Sequence, residues 1–119
     1  MHYLLLIYSN EADAPPPPAT PAEAEAYMAP WMEYTENLKT AGVYLGGDAL
    51  QPTATATTIT AVGKTEPVFT DGPFAETREQ LGGYYLLDCK DLDEALAWGA
   101  KCPIVNYGKL EVRPVMSFD

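Results

Sequence analysis

The chain has 119 residues, enough for one domain that buries roughly two thirds of its unfolded surface without a metal or disulfide staple. Its formal charge is −10, with few and scattered basic residues. That argues against nucleic acid and anionic membranes, which are bound by clustered Lys and Arg. No apolar run approaches the roughly 20 residues of a membrane span.

The opening residues, MHYLLLIYSNEAD, carry no positive n-region, so "HYLLLIY" (2–8) reads as a first strand rather than a signal peptide. The strand shows no alternation, and both of its faces are expected to be buried. Four consecutive prolines, Pro15 to Pro18, favour polyproline II and make a stiff surface loop into the next element. Thr20, Pro21 and Glu23 then form a helix start: an N-cap, a first-turn proline and a capping-box acid. Tyr27, Trp31, Tyr34, Leu38 and Ala41 recur at helical spacing, a stripe expected to pack on a sheet rather than hold a cofactor. Pro30 predicts a kink or break near Ala29, and Gly42 ends the helix.

"VYLGGDALQP", from Val43, reads as a strand disturbed by Gly46 and Gly47, with a bulge or a close backbone approach there. Thr53 to Val62 is β-branched and roughly alternating, Gly63-Lys64 makes a turn, and "EPVFT" returns as a short strand. "GGYYLLD" is another strand with apolar residues on both faces. Asp91 with Glu94 caps a second helix carrying Leu92, Ala95, Leu96 and Gly99 at helical spacing. "LEVRPV" is the last strand. Cys89 and Cys102 are the only cysteines; without an export signal a reduced pair in the cytoplasm is expected, and with no histidine nearby they make a poor metal site. No metal or cofactor motif is present.

The order β-α-β-β-(β)-α-β predicts an α+β fold: a ferredoxin-like antiparallel sheet with two helices on one face. Residues 1–119 form one domain on this reading. Two helices cover only one face, yet the central strands are apolar on both. A second copy, packed sheet to sheet by twofold symmetry, would cover the other and give a dimeric α+β barrel; a homodimer is therefore expected.

The segment "TDGPFAETREQLGG", residues 70–83, is too long for a hairpin turn, and ordered connections of this length are often functional. Asp71-Gly72 is turn chemistry, followed by Pro73. In a structural reading Asp71 caps a turn, Phe74 anchors the loop and the charges of Glu76, Arg78 and Glu79 face water. In a functional reading Phe74 closes a pocket into which a carboxylate and Arg78 point. "DGPFAETREQLGGYYLLD" resembles the signature of the DGPF branch of the YCII-related family, and "YLLLIY", "AGVYLGGDALQP", "TATTI", "DLDEALAWGAKCP" and "EVRPV" extend the resemblance over nearly the whole chain. The resemblance implies a dimeric α+β barrel. It implies no settled activity: the branch is mostly bacterial, some members are associated with extracytoplasmic-function sigma factors, and relatives on the fold include small isomerases and a dehydrochlorinase-like lyase.

Narrower members carry a helix histidine proposed to pair with an aspartate. Trp31 stands at the corresponding place here, and the only histidine is His2. The candidate ligand-binding residues are Asp48, Asp71, Phe74, Glu76, Arg78 and Arg113, with Asp71 and His2 the weak catalytic candidates. Arg113, on the last strand and on the same face as Glu111, is expected on a central strand. There it needs solvent or a carboxylate partner such as Glu111 of a neighbouring strand or of the other subunit, or else binds an anionic ligand. Two functions compete. One is a small-molecule binder, or a cofactor-free lyase- or isomerase-like enzyme, with a dimer cleft walled by residues 70–83. The other is a non-catalytic regulatory or interaction protein with a protein partner in transcription initiation.

Overall fold

Strands β1 (His2–Ser9), β2 (Tyr44–Ala49), β5 (Gln80–Asp88) and β6 (Lys109–Pro114) form an antiparallel sheet in the order β2-β5-β1-β6 in the computed structural model, which describes residues 1–118. Helix α1 (Pro21–Thr40) follows β1 and helix α2 (Leu92–Gly99) follows β5. Strands β3 (Thr57–Thr60) and β4 (Val68–Asp71) pair only with each other, as a separate two-stranded ribbon. The fold is α+β, with the element order expected from the sequence, but β3 and β4 stand outside the main sheet.

Alternate residues of the central strands decide which face holds the core. Tyr3, Leu5 and Ile7 of β1 and Tyr85 and Leu87 of β5 are buried with Tyr34 and Leu38 of α1 and Ala95 of α2, so both helices lie on that face. Leu4, Leu6, Tyr84 and Leu86 point the other way and stay half-exposed. In the single chain the second face is thus open, and no barrel closes.

The helix ends are built as their sequences dictate. The Thr20 hydroxyl oxygen accepts from the Glu23 N–H at 3.1 Å, and the Glu23 carboxylate accepts from the Ala19 N–H at 2.8 Å. At the other end Gly42 adopts φ 76°, and the Val43 N–H reaches back to the Leu38 carbonyl at 3.2 Å, satisfying an orphan acceptor. Asp91 caps α2 in the same way, accepting from the Glu94 N–H at 2.9 Å. Pro30 does not break α1, which runs on through it. Proline removes one backbone donor, and this one lies on the exposed side, where no packing is lost.

Other expectations shift. The Thr53–Val62 stretch is a strand only at Thr57–Thr60, and Thr53–Thr55 is a 3-10 turn held by Glu11, whose carboxylate accepts from the Thr53 N–H at 3.0 Å. Leu92 and Leu96 of α2 are half-exposed, so only Ala95 and Gly99 of that stripe reach the core. Both cysteines are buried and free.

Candidate functional site

The more enclosed and more aromatic of two candidate clefts, about 500 Å³ in volume, lies between α1 and the β2–β5 edge of the sheet. Its shape follows from glycine and tyrosine together. Gly47 faces the ring of Tyr85 so closely that an added β carbon would lie 2.8 Å from both the ring and the Tyr84 carbonyl oxygen. Gly83 likewise meets the Asp48 carbonyl oxygen at 2.8 Å. The two strands therefore approach too tightly for any side chain at these points, and the wall of the cleft there is nearly bare backbone.

Opposite that wall stand Tyr27, Met28, Trp31 and Met32 of α1, with Tyr107 closing one end. The aromatic stripe of α1 is therefore divided. Its C-terminal half, Tyr34 and Leu38, is core, whereas Tyr27 and Trp31 face the cleft. Packing alone does not account for the whole stripe, as the sequence reading held.

Hydrogen bonds hold the rings in place. The Trp31 Nε1–H donates to the Tyr107 hydroxyl at 3.0 Å, and the hydroxyls of Thr35 and Tyr85 bond at 2.8 Å. On the open face of the sheet Tyr84 donates to the Asp48 carboxylate at 2.7 Å. Lys39 lies over the Tyr44 ring, 5.3 Å from its centre, so one ring face already takes a cation. Burial pushes the Tyr107 phenol up to about 12 and also raises Tyr85; the bond to Asp48, which favours the neutral phenol, raises Tyr84. These phenols are neutral hydrogen-bond donors near neutral pH and do not serve as bases there. The cleft is thus equipped to sandwich an apolar or flat ligand between rings and backbone and to orient it by hydroxyls.

The sequence-predicted residues do not gather in one place. Asp48 lines this cleft. Arg78 lines a second, more open and more polar cleft of about 510 Å³, together with Asp13, Glu79 and Lys109. Asp71, Phe74, Glu76, Arg113 and His2 line neither. Of the 70–83 segment only Gly82 and Gly83 touch the first cleft. Strand β4 extends through Asp71 and β5 begins at Gln80, so the irregular loop is 72–79. Gly72 there has φ 93°, and its carbonyl accepts from the Thr58 hydroxyl at 2.7 Å, which explains the Asp-Gly turn chemistry. Phe74 is 89% exposed, neither anchoring the loop nor closing a pocket within the chain.

Arg113 lies on the edge strand β6 rather than a central one. It bonds Glu111 of the same strand, Nε to Oε2 at 3.1 Å, and is exposed. Two residues apart on a strand, the pair shares one face, so no cross-strand partner is required. His2 is exposed at the start of β1, opposite Asp88.

Sequence reasoning missed Tyr27, Trp31, Tyr44 and Tyr107 as a site. The available signal was a helix stripe with more aromatic surface, and more methionine beside it at Met28 and Met32, than a two-helix layer needs. Among the described residues no three His, Cys, Asp or Glu side chains group as a metal site, and no helix is long and apolar enough to cross a membrane.

Comparison with known proteins adds two findings. A family model described as "YCII-related domain" matches residues 1–119. An uncharacterized protein of Rhizobium meliloti (strain 1021) is 48% identical over 69 residues, a stretch covering 56% of this chain and 54% of that protein. The match thus spans about half of the relative's length.

Proposed function

The chain belongs to the YCII-related domain family, and from that premise we propose that it is a cytoplasmic homodimer that binds a small, largely apolar organic molecule in the cleft between α1 and the β2–β5 edge. One observation carries this reading: rings from α1, β2, β5 and the segment before β6 converge on one cavity of ligand size, with their hydroxyls already fixed. The apolar residues on the open sheet face support the dimer, and two free buried thiols fit a reducing compartment. Binding comes before chemistry in this reading. A cofactor-free lyase- or isomerase-like step would have to use the Glu36 carboxylate or the Lys39 amine, because the Asp48 carboxylate is bonded to Tyr84 on the opposite face of the sheet.

Trp31 supplies the test. It lines the cleft, whereas the only other tryptophan, Trp98, does not. A thermal-shift screen of aromatic acids, aromatic amines and neutral aromatics should yield a compound that raises the melting temperature by mass action. That compound should also change Trp31 emission, in the parent and in a Trp98→Phe variant alike. Met32→Glu, on the cleft wall and 64% exposed, should abolish the hit without unfolding the protein. No hit across the panel, with a stable dimer, would reject ligand binding and favour the regulatory reading with a protein partner.

A further inference from the structure

The β3–β4 ribbon has no apparent reason to be ordered in a single chain. Every residue of β4 is exposed, and of β3 only Thr58 is less so. Ile59 pairs directly with Phe69, and Thr58 with Thr70. Side chains alternate across a ribbon, so one face carries Ile59 and Phe69, with Thr57 and Asp71 at its end, while the other carries Thr58, Thr60, Val68 and Thr70. Ile59 and Phe69 are 59% and 67% exposed, and Val62 near the tip is 88% exposed. A lone two-stranded ribbon is at best marginally stable in water, and an apolar face directed at solvent makes it less so.

The whole chain shows the same surplus of surface. A compact monomer of 13.0 kDa exposes roughly 6,300 Å² by the usual size scaling. This chain exposes 8727 Å². The excess is about 2,400 Å², and a homodimer that exists only as a pair removes about 1,000–2,500 Å² from each partner. The radius of gyration is 16.8 Å, against roughly 13.5 Å for a globule of this length. The molecule is a slab 49 × 48 × 20 Å, and no ribbon residue belongs to its core cluster.

Charge favours a second copy as the occupant. The chain is strongly acidic, and two like subunits repel wherever that charge is unbalanced. Along β6, however, Arg113 pairs with Glu111 and Lys109 with Glu79, on the face that also carries Leu4, Leu6 and Leu86. Two of the chain's seven basic residues thus offset acidic neighbours along the β6 side of the open apolar face, and the remaining carboxylates of that face, Asp48 and Asp88, lie on the β2 and β5 side.

We infer that β3–β4 is an exchanged arm: each subunit's ribbon crosses to a second copy of this chain and lays its Ile59–Phe69 face on it. The inference rests on the homodimer proposed above and adds that the arm, not the sheet face alone, holds the pair together. In the dimer the ribbon is buried on its apolar side and firmly hydrogen-bonded. In a monomer it frays.

Sedimentation equilibrium and amide hydrogen exchange on the full chain test this, with an Ile59→Asp/Phe69→Asp double variant. Ile59 and Phe69 lie outside the core cluster, so the variant should keep the parent's helical circular dichroism. The expected result is a parent dimer whose amides from Thr57 to Asp71 are protected at high concentration and lose protection on dilution. The variant's dimer dissociation constant should rise about 100-fold or more, since two large apolar contacts per subunit are lost. A milder pair, Ile59→Thr/Phe69→Thr, keeps the β-branched ribbon and should weaken the dimer by an intermediate factor. A parent dimer with an unprotected ribbon, or a double variant that dimerises as tightly as the parent, overturns the arm and leaves the homodimer standing. A parent that is monomeric overturns both.

Discussion

Replacing Gly47 by alanine tests how β2 is seated against β5. The new β carbon would stand 2.8 Å from the Tyr84 carbonyl oxygen and 2.8 Å from the Tyr85 ring. Carbon atoms settle at roughly 3.5–4.0 Å from one another, so the overlap is deep. Neither neighbour moves freely. The oxygen is main chain, and the ring is wedged edge-on between Tyr34 and Tyr44, with its hydroxyl bonded to Thr35 at 2.8 Å. Overpacking of this kind costs about 1–3 kcal/mol, and the ~0.5–1 kcal/mol that alanine normally gains over glycine in a strand offsets part of it. The net loss is about 1–2 kcal/mol. With an unfolding entropy of roughly 2.1 cal/mol/K per residue, each kcal/mol lowers the melting temperature of a chain this long by about 4 °C. Calorimetry should therefore show a fall of ~4–8 °C on that scaling. Gly82→Ala is the control, because its β carbon meets only the Ile7 carbonyl oxygen, at 4.0 Å. It should stay within about 0.5 kcal/mol of the parent. Equal melting temperatures for the two variants would refute the account.

Two further outcomes follow from the core. Tyr34→Phe removes a hydroxyl that donates to the Trp98 carbonyl at 2.8 Å; that oxygen still accepts from the Lys101 N–H at 3.1 Å, so no orphan remains. The loss should be about 1 kcal/mol in urea unfolding, and a loss above ~3 kcal/mol would mean the hydroxyl does something more. Stability should also fall in alkali. Burial pushes the Cys89 thiol up from 9.0 to about 11, Glu94 adding to it, and the Tyr107 phenol from 10.0 to about 12; burial raises Tyr34 as well. Each folded value lies above the unfolded one, so the folded state holds these protons longer. The contribution is full below pH 9.0 and is lost as pH climbs through 11 and 12. A urea midpoint that holds level from pH 9 to pH 12 would contradict these shifts.

The large-scale fold was legible because its signals are local and redundant. Thr20-Pro21-Glu23 and Asp91-Glu94 announce helices by capping chemistry that needs no tertiary context, and Gly42 marks an end by the backbone it alone tolerates. The α+β class followed from the number and order of the elements. What the sequence concealed depends on partners distant along the chain. Whether Thr53–Val62 is strand or turn is decided by Glu11, which binds Thr53 from the far side of α1. The edge position of β6, which changes the meaning of Arg113, is a property of pairing and not of the "LEVRPV" stretch itself. The site was hidden for a related reason. Charged residues in a loop drew the eye to 70–79, whereas the cleft is made of tyrosines, a tryptophan and methionines whose composition reads as core. Only the placement of Tyr107 and Tyr44 opposite α1 shows which rings face a cavity.

Strand β1 has a consequence for how the protein comes into being. It pairs with nothing near it: Leu6 lies between Tyr84 of β5 and Glu111 of β6. On a ribosome this apolar strand emerges well before its partners, and it has no neighbour until β5 and β6 have been made. Helix α1 is in the same position, since the rings it packs against include Tyr85 and Trp98. Synthesis therefore holds an unfinished, sticky segment in solution while the residues up to β5 and β6 are made, the circumstance in which nascent chains aggregate or recruit chaperones. The four prolines and the acidic residues that follow β1 lie next to this segment, and a stiff, charged, helix-averse stretch keeps such a nascent strand apart from its neighbours until its partners arrive.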